Sequence, residues 1–116
     1  MNRDRLFLAD IVKACDKISI FIEGGHDAFL EDQMVQDAVI RNLEILGEAS
    51  KNLSPEIRAQ AADQPWRQIT GMRDKLIHHY FGVKLELVWT TASVIVPPFR
   101  TVVANLLLGI AEESSS

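Results

Sequence analysis

The stretch DAVIRNLEILGEA, at Asp37–Ala49, decides the fold class. Its apolar residues Val39, Leu43 and Leu46 recur at steps of three and four, which is the spacing of one face of an α-helix. The pattern predicts a helix from about Asp32 to Asn52. Because a helix with one apolar face is stable only when other elements cover that face, we expect this helix to lie inside a packed domain.

The same spacing recurs along the rest of the chain, without a convincing strand or an internal repeat. We expect further helices at Asp4–Glu23, from Pro55 after the cap Ser54, at Trp66–Phe81, at Leu85–Ser93 and after Pro97-Pro98. Because proline in a helix interior removes a hydrogen bond and clashes with the preceding turn, we place a break just before Pro97. The sequence therefore predicts an all-α, antiparallel bundle of four to five helices, with one domain at 1–112 and a polar tail at 113–116.

Composition and charge exclude several classes of protein. The chain has 116 residues, of which 47% are hydrophobic and 24% charged, the balance of a soluble globular domain. Its net charge of −4 provides no global basic field, so any contact with RNA or DNA would need a local cleft. The single cysteine, Cys15, excludes a disulfide framework and a cysteine-based zinc site. We interpret it as an inert buried thiol in a reducing, cytoplasmic protein.

Targeting and membrane segments are not expected. Met1–Arg5 is not followed by a cleavable apolar core, so no signal peptide is predicted. Val88–Ile110 is long enough to span a bilayer, but Pro97-Pro98 and Arg100 lie near its centre. We therefore expect a helix of the bundle rather than a membrane span. The apolar residues nearly surround the last helix, which suggests that a second subunit covers part of it.

The stretch GMRDKLIHHYF, at Gly71–Phe81, holds the residues that could carry chemistry. At about 100° per residue, Arg73 falls in the middle of the apolar stripe of its helix, and Asp74 and His78 fall together on one flank. A guanidinium on a core-facing stripe needs a partner, because an unpaired buried charge costs several kcal/mol. Arg73 therefore has either a structural or a functional role.

Two interpretations of this cluster remain open from the residues alone. Arg73 could form a structural ion pair with Glu44 or Glu48 of the preceding long helix. Alternatively, Arg73 could bind a phosphate while His78 transfers a proton. Asp74 would then orient the imidazole, and Tyr80 would add a hydroxyl on the Arg73 side. Such a set can cleave RNA without a metal ion, since the ribose 2′-hydroxyl supplies the nucleophile.

Other candidate sites are weaker. His78 and His79 are adjacent, so their rings diverge by about 100° around a helix and cannot chelate one metal ion. With His26 remote and no cysteine pair, we predict no metal site and no cofactor. Glu44 and Glu48 could act as a general-acid pair, but a solvated face that pairs with arginine is favoured, because Arg41 lies on the adjacent turn.

The two tryptophans also have two interpretations. Trp66 and Trp89 could stack on nucleobases, yet aromatic residues next to Pro65 and Val88 are more often core anchors. We therefore expect both rings to belong to the core of the domain.

The order Arg73, four residues, His78, one residue, Tyr80 resembles the motif of HEPN-domain ribonucleases, in the form found in HepT-like toxins. The resemblance extends over nearly the whole chain. It includes the stretches Asp37–Ala49, Leu53–Arg58, Pro65–Val83 and Leu85–Trp89.

The resemblance implies a HEPN-type helical fold that forms a homodimer, with two copies of the motif in one cleft. It implies a metal-independent endoribonuclease that acts on RNA as the toxin of a toxin–antitoxin pair. It also implies a partner, an MntA-like minimal nucleotidyltransferase antitoxin that transfers AMP from ATP onto Tyr80. The adenylate would place bulk and phosphate charge beside Arg73, where RNA phosphate would otherwise bind.

Two residues depart from the family pattern. Asp74 stands where asparagine is common in close relatives, and a carboxylate there can pair with Arg73 and hold back activity. His79 stands where glutamate is frequent, which we interpret as a neutral surface change. The alternative function is a non-catalytic helical module that binds the nucleotidyltransferase, with Arg73 as a structural ion-pair residue.

Overall fold

The computed structural model describes residues 3–78 and 84–115, with all of their side chains except those of 73, 77, 78 and 111–115. Within these ranges the chain forms α-helices and one π-helical turn, and no strand, so the predicted all-α class is confirmed. The elements are α1 (Arg3–Phe21), α2 (His26–Glu31), α3 (Gln33–Lys51), α4 (Pro55–Ala59), α5 (Trp66–His78), α6 (Leu85–Thr90), the π-helical turn (Thr91–Ile95) and α7 (Val96–Ser115).

Helix α3 begins and ends where its capping residues lie. The Asp32 carboxylate accepts hydrogen bonds from the backbone N–H groups of Met34 at 2.9 Å and Val35 at 3.3 Å. These bonds satisfy donors that have no partner inside the helix. The predicted limits, Asp32 and Asn52, are therefore the two caps of the helix.

Helix α3 lies between α1 and α5, and α1 also packs against α7. The apolar spacing read from the sequence is the buried face of each of these helices. Each fully buried side chain of this kind stabilises the fold by about 1.5–3 kcal/mol. Those that are almost completely inaccessible include Leu8, Ile11, Ile18, Val39, Leu43, Leu46, Ile69, Leu76, Phe99 and Val103.

The start of α1 contacts the chain directly after α3, as expected for antiparallel neighbours. Ser54 donates its backbone N–H and its hydroxyl to the Asp4 carboxylate, at 2.8 and 2.6 Å. The same hydroxyl oxygen accepts the N–H of Ile57 at 3.2 Å and so caps α4. One side chain thus joins the first helix to the fourth.

The predicted break before Pro97 is wrong. The chain continues as one helical stretch from Leu85, through the π-helical turn, into α7. In that turn the Val96 N–H donates to the Thr91 carbonyl, five residues back, instead of four. The π-helical turn falls directly before Pro97 and Pro98, which have no N–H to donate. Its wider geometry displaces the carbonyls of the preceding turn, with which proline rings clash in a regular α-helix.

One helical stretch, Leu85–Ile110, is long and apolar enough to cross a membrane by length and composition, with a mean hydropathy of 1.6 in its most apolar window. Its buried residues Phe99 and Val103 belong to the same core as those of α1. Its Arg100 donates to the Asp16 carboxylate of α1 at 3.0 Å. These contacts are those of a bundle helix, and the absence of a membrane span stays a prediction. The division into a domain and a polar tail also stays a prediction, since α7 continues to Ser115.

Replacing Ser54 by alanine should lower the free energy of unfolding by about 1–2 kcal/mol, because it removes the cap of α4 and one hydrogen bond to Asp4. Urea unfolding followed by circular dichroism at fixed protein concentration measures this. Ser54→Thr, which keeps the hydroxyl, is the matched control and should lose less than half as much. A Ser54→Ala protein as stable as the wild type would show that this contact adds nothing.

The thiol of Cys15 is buried in the same core, as expected. Burial, with a smaller contribution from the negative charge of Asp16, raises its pKa from 9.0 to about 12. At pH 8 only about one thiol in ten thousand is then ionised, against roughly one in ten in the unfolded chain.

We therefore expect Cys15 to react fully with a disulfide reagent such as DTNB at pH 8 in guanidinium. Over the same time, Cys15 in the native protein should not react. Absorbance of the released thiolate measures both rates. Equal rates with and without denaturant would contradict the burial of this thiol.

Candidate functional site

Helix α5 holds three of the four residues predicted to carry chemistry. Residues 73, 74 and 78 lie within its single continuous span, Trp66–His78. The side chain of Asp74 is half-buried and engaged in an interaction. The side chains of Arg73 and His78, and Tyr80 as a whole, lie outside the described residues. The contacts predicted among these groups therefore stay predictions, including the pairing of Arg73 with Glu44 or Glu48.

The first turn of α5 is fixed by Trp66. Its indole N–H donates to the Ala61 carbonyl at 2.9 Å, and its ring meets that of Phe99 edge-on at 5.2 Å between centroids. The backbone N–H of Ile69 donates to the Pro65 carbonyl at 2.9 Å, which starts the helical ladder. The prediction that Trp66 is a core anchor is confirmed.

The rotation of α5 about its axis is fixed by its buried residues. Taking residue 73 as 0° and 100° per residue, the buried residues Trp66, Ile69, Met72 and Leu76 occupy the arc from about −100° to 20°. Residue 73 falls inside this arc by register, whereas 74 and 78 fall outside it on one flank. The helical positions predicted for the three residues are therefore those of the structure.

The two carboxylates predicted on the solvated face of α3 each have a polar partner within α3 or at its C-terminal cap. Glu44 Oε2 lies 3.4 Å from Arg41 Nη1, and Glu48 Oε1 accepts from the Asn52 side-chain amide at 3.4 Å. The arginine-pairing interpretation is thus confirmed for Glu44. Both carboxylates, with Asp10, line a cavity of about 250 Å³ between α1 and α3.

Sequence reasoning missed the contact that holds α6. The His26 Nε2–H donates to both carboxylate oxygens of Glu86, each at 2.9 Å. The His26 ring meets Trp89 at 5.3 Å, and Trp89 meets Phe29 at 5.4 Å. Trp89 therefore packs within the domain, as expected. No periodicity or spacing could have predicted a pair 60 residues apart. The contact joins the start of α6 to α2.

No group of three or more His, Cys, Asp or Glu side chains converges as metal ligands within the described part of the chain. Helix α5 carries an arginine, a carboxylate and a histidine at positions 73, 74 and 78. An arginine binds phosphate oxygens through a planar pair of N–H groups, and a histidine exchanges protons near neutral pH.

Comparison with known proteins identifies the family. Residues 11–106 match the family described as Ribonuclease HepT-like, a span that runs from α1 into α7 and includes the whole of the Arg73–Tyr80 motif. No solved structure matches the chain.

Two relatives illustrate the similarity. The chain is 43% identical over 95 residues to "Probable ribonuclease HepT" of Thermococcus cleftensis, covering 81% of this chain and 86% of the relative. It is 38% identical over 108 residues to "Putative RNase TTE0752" of Caldanaerobacter subterraneus subsp. tengcongensis, covering 92% and 96% of the two chains. The chain therefore belongs to the HepT-like ribonuclease family.

Proposed function

We propose that the protein is a metal-independent endoribonuclease of the HEPN type, the toxin of a toxin–antitoxin pair. It cleaves RNA in a cleft shared by two subunits, with Arg73, Asp74 and His78 as its catalytic residues. A cognate MntA-like nucleotidyltransferase inhibits it by transferring AMP onto Tyr80. The observation that carries the proposal is the family match over 11–106 together with the register of α5, which keeps residues 73, 74 and 78 on one rigid helix.

The proposed reaction is an internal transesterification of the RNA strand. His78 accepts the proton of a ribose 2′-hydroxyl, and the 2′-oxygen attacks the adjacent phosphorus. The bond from phosphorus to the 5′-oxygen breaks, and that oxygen takes up a proton as it leaves. The products are a 2′,3′-cyclic phosphate and a free 5′-hydroxyl.

Each side chain has a distinct role in this reaction. Proton transfer by a positioned histidine accelerates such steps by about 10²–10⁴-fold. The Arg73 guanidinium binds the phosphate oxygens and stabilises the charge that develops on them. The Asp74 carboxylate holds the imidazole in the tautomer and orientation that proton transfer requires.

Electrostatics and exposed apolar surface support a homodimer. One subunit carries a net charge of −4, so a single motif offers little attraction for RNA, whereas two motifs in one cleft double the local positive charge. Only 22% of the most apolar window of Leu85–Ile110 is buried within the chain, and Leu108 is 59% exposed. A second subunit would cover apolar surface of this kind.

The unmodified protein should cleave single-stranded RNA in the presence of EDTA, and His78→Ala and Arg73→Ala should each lower kcat by 10²-fold or more. Gel separation of end-labelled RNA gives the rate. Resistance of the 3′ ends to phosphatase, lost after acid opens the ring, reports the cyclic phosphate. His79→Ala and Arg41→Ala are the matched controls, and each should keep wild-type activity.

Other outcomes would exclude this mechanism. Equal cleavage by the wild type and by both motif variants would assign the activity to another site or to a contaminant. A wild-type protein that leaves several RNAs intact and is never adenylylated would favour the alternative, a non-catalytic module that binds the nucleotidyltransferase.

The proposed inhibition is a nucleotidyl transfer to a phenol. The Tyr80 oxygen attacks the α-phosphorus of ATP, an oxygen–phosphorus bond forms, and pyrophosphate leaves while the phenolic proton passes to a base. The adenylate brings a negative phosphodiester two residues from His78, where it competes with the RNA phosphate.

Incubation with the nucleotidyltransferase and ATP should abolish cleavage by the wild type and leave Tyr80→Phe active. Tyr80 is the only tyrosine in the chain, so any adenylate that mass spectrometry finds on tyrosine is on Tyr80. Adenylate on the Tyr80→Phe protein, or cleavage by a fully modified wild type, would contradict the proposed regulation.

A further inference from the structure

Positive charge is concentrated in one segment of an acidic chain. Residues 66–84 contain four of the 12 basic residues, Arg67, Arg73, Lys75 and Lys84, but only one of the 16 acidic residues, Asp74. The segment is therefore net positive by three charges, although the whole chain is net negative by four. An anionic ligand is drawn toward α5 and repelled by the rest of the surface.

A groove runs along the outer side of α5 within this segment. Its volume is about 180 Å³, and it lies between α5 and the exposed start of α6. Met72, 7% exposed, contributes to its apolar lining, and Leu87 of α6, 40% exposed, contributes a second apolar side chain. The residues that line it are Arg67, Gln68, Gly71, Met72, Lys75 and Leu87.

The two cations of this groove are available to a ligand. Arg67 and Lys75 are exposed, and in the part of the chain that the structure describes neither forms an ion pair. In contrast, Arg41 pairs with Glu44 and Arg100 pairs with Asp16. The neighbouring acid on α6, Glu86, is occupied by His26 at 2.9 Å.

The middle of the groove is open because residue 71 is glycine. A Cβ built at Gly71 would meet nothing within 4 Å apart from its own helix. A ligand can therefore approach the backbone of α5 between the two cations. In a helix interior glycine costs about 1 kcal/mol relative to alanine, so the residue is not there for helix stability.

Residue 78 lies on the same side of the helix as the groove, by helical register. Taking residue 73 again as 0°, residues 67, 71 and 78 fall at about 120°, 160° and 140°, and residue 75 at about 200°. At 1.5 Å per residue, Arg67 lies about 16 Å from residue 78 along the axis, and Lys75 about 4–5 Å. This distance corresponds to a few nucleotides of a single strand.

We propose that this groove binds the RNA strand on one side of the phosphate that is cleaved. Arg67 and Lys75 contact backbone phosphates, and a nucleobase lies over Gly71 against Met72 and Leu87. The inference rests on the proposed function, since it makes His78 the end of the groove. Because phosphate contacts carry no sequence information, the groove supplies affinity and orientation rather than base specificity.

Replacing Arg67 and Lys75 by glutamine together tests the groove. We expect the Kd for a fluorescent single-stranded RNA, measured by anisotropy in a His78→Ala background, to rise tenfold or more. The slope of log K against log salt should become shallower by about one to two. In the active protein the double variant should raise KM and leave kcat within about twofold. Lys13→Gln with Lys17→Gln on α1 removes the same charge and should leave the Kd within about twofold.

Gly71→Gln provides a second test that does not change the charge. The substitution places a side chain in the groove. Because glutamine has a higher helix propensity than glycine, the variant should be at least as stable as the wild type. We expect the Kd to increase severalfold without loss of stability in urea unfolding. Unchanged binding by the stable variant would overturn the groove.

The outcomes separate the groove from the proposed function. Cleavage by the wild type, with Arg67→Gln/Lys75→Gln equal to the α1 control in Kd, salt slope and KM, would overturn the groove alone. Salt-dependent binding that the double variant loses, without any cleavage by the wild type, would support the groove and overturn the nuclease. A wild type that binds no RNA would overturn both.

Discussion

The insertion of α3 between α1 and α5 is the constraint on which the rest of this structure depends. The apolar stripe of α3, with Val39, Leu43 and Leu46, is almost completely inaccessible. Because α3 contacts both neighbours, its packing sets the position of α1 and α5 at once. Trp66 near the start of α5 and Leu76 near its end are both buried, and residue 73 falls on the core-facing arc that they define. A leucine would be the ordinary residue at such a position, and an arginine there requires a partner or a ligand.

The fold also separates charges in a way that composition does not reveal. The carboxylates of α1 and α3 line the cavity between those helices, whereas the segment from Trp66 to Lys84 is net positive. An acidic protein can therefore bind an anionic polymer at one place and repel it elsewhere. On the proposed function, this arrangement favours a short stretch of RNA at α5 over extended, non-specific coating of the surface.

The sequence was sufficient for those parts of the fold that depend on periodicity and local caps. The three-and-four spacing predicted the buried faces, and Asp32 and Ser54 marked helix starts that the structure confirms. Pro97 was misleading, because the local rule against proline does not anticipate that a π-helical turn can carry the helix past it. The His26–Glu86 contact was invisible, since it joins two exposed polar residues 60 positions apart and leaves no pattern along the chain. For the site, the register of α5 could be predicted. That Arg67 and Lys75 form no ion pair with another described residue follows from tertiary packing alone.

On the proposed regulation, one covalent change at Tyr80, two residues after His78 in the sequence, could control the whole site. Helix α5 packs against α3, and α6 contacts His26 and Phe29 through Glu86 and Trp89. In the sequence, Tyr80 follows the last residue of α5 by two positions. On the proposed regulation, one adenylate adds a negative charge to a segment with a balance of only three positive charges. It therefore weakens the attraction for RNA at the same place where its bulk blocks access to the motif.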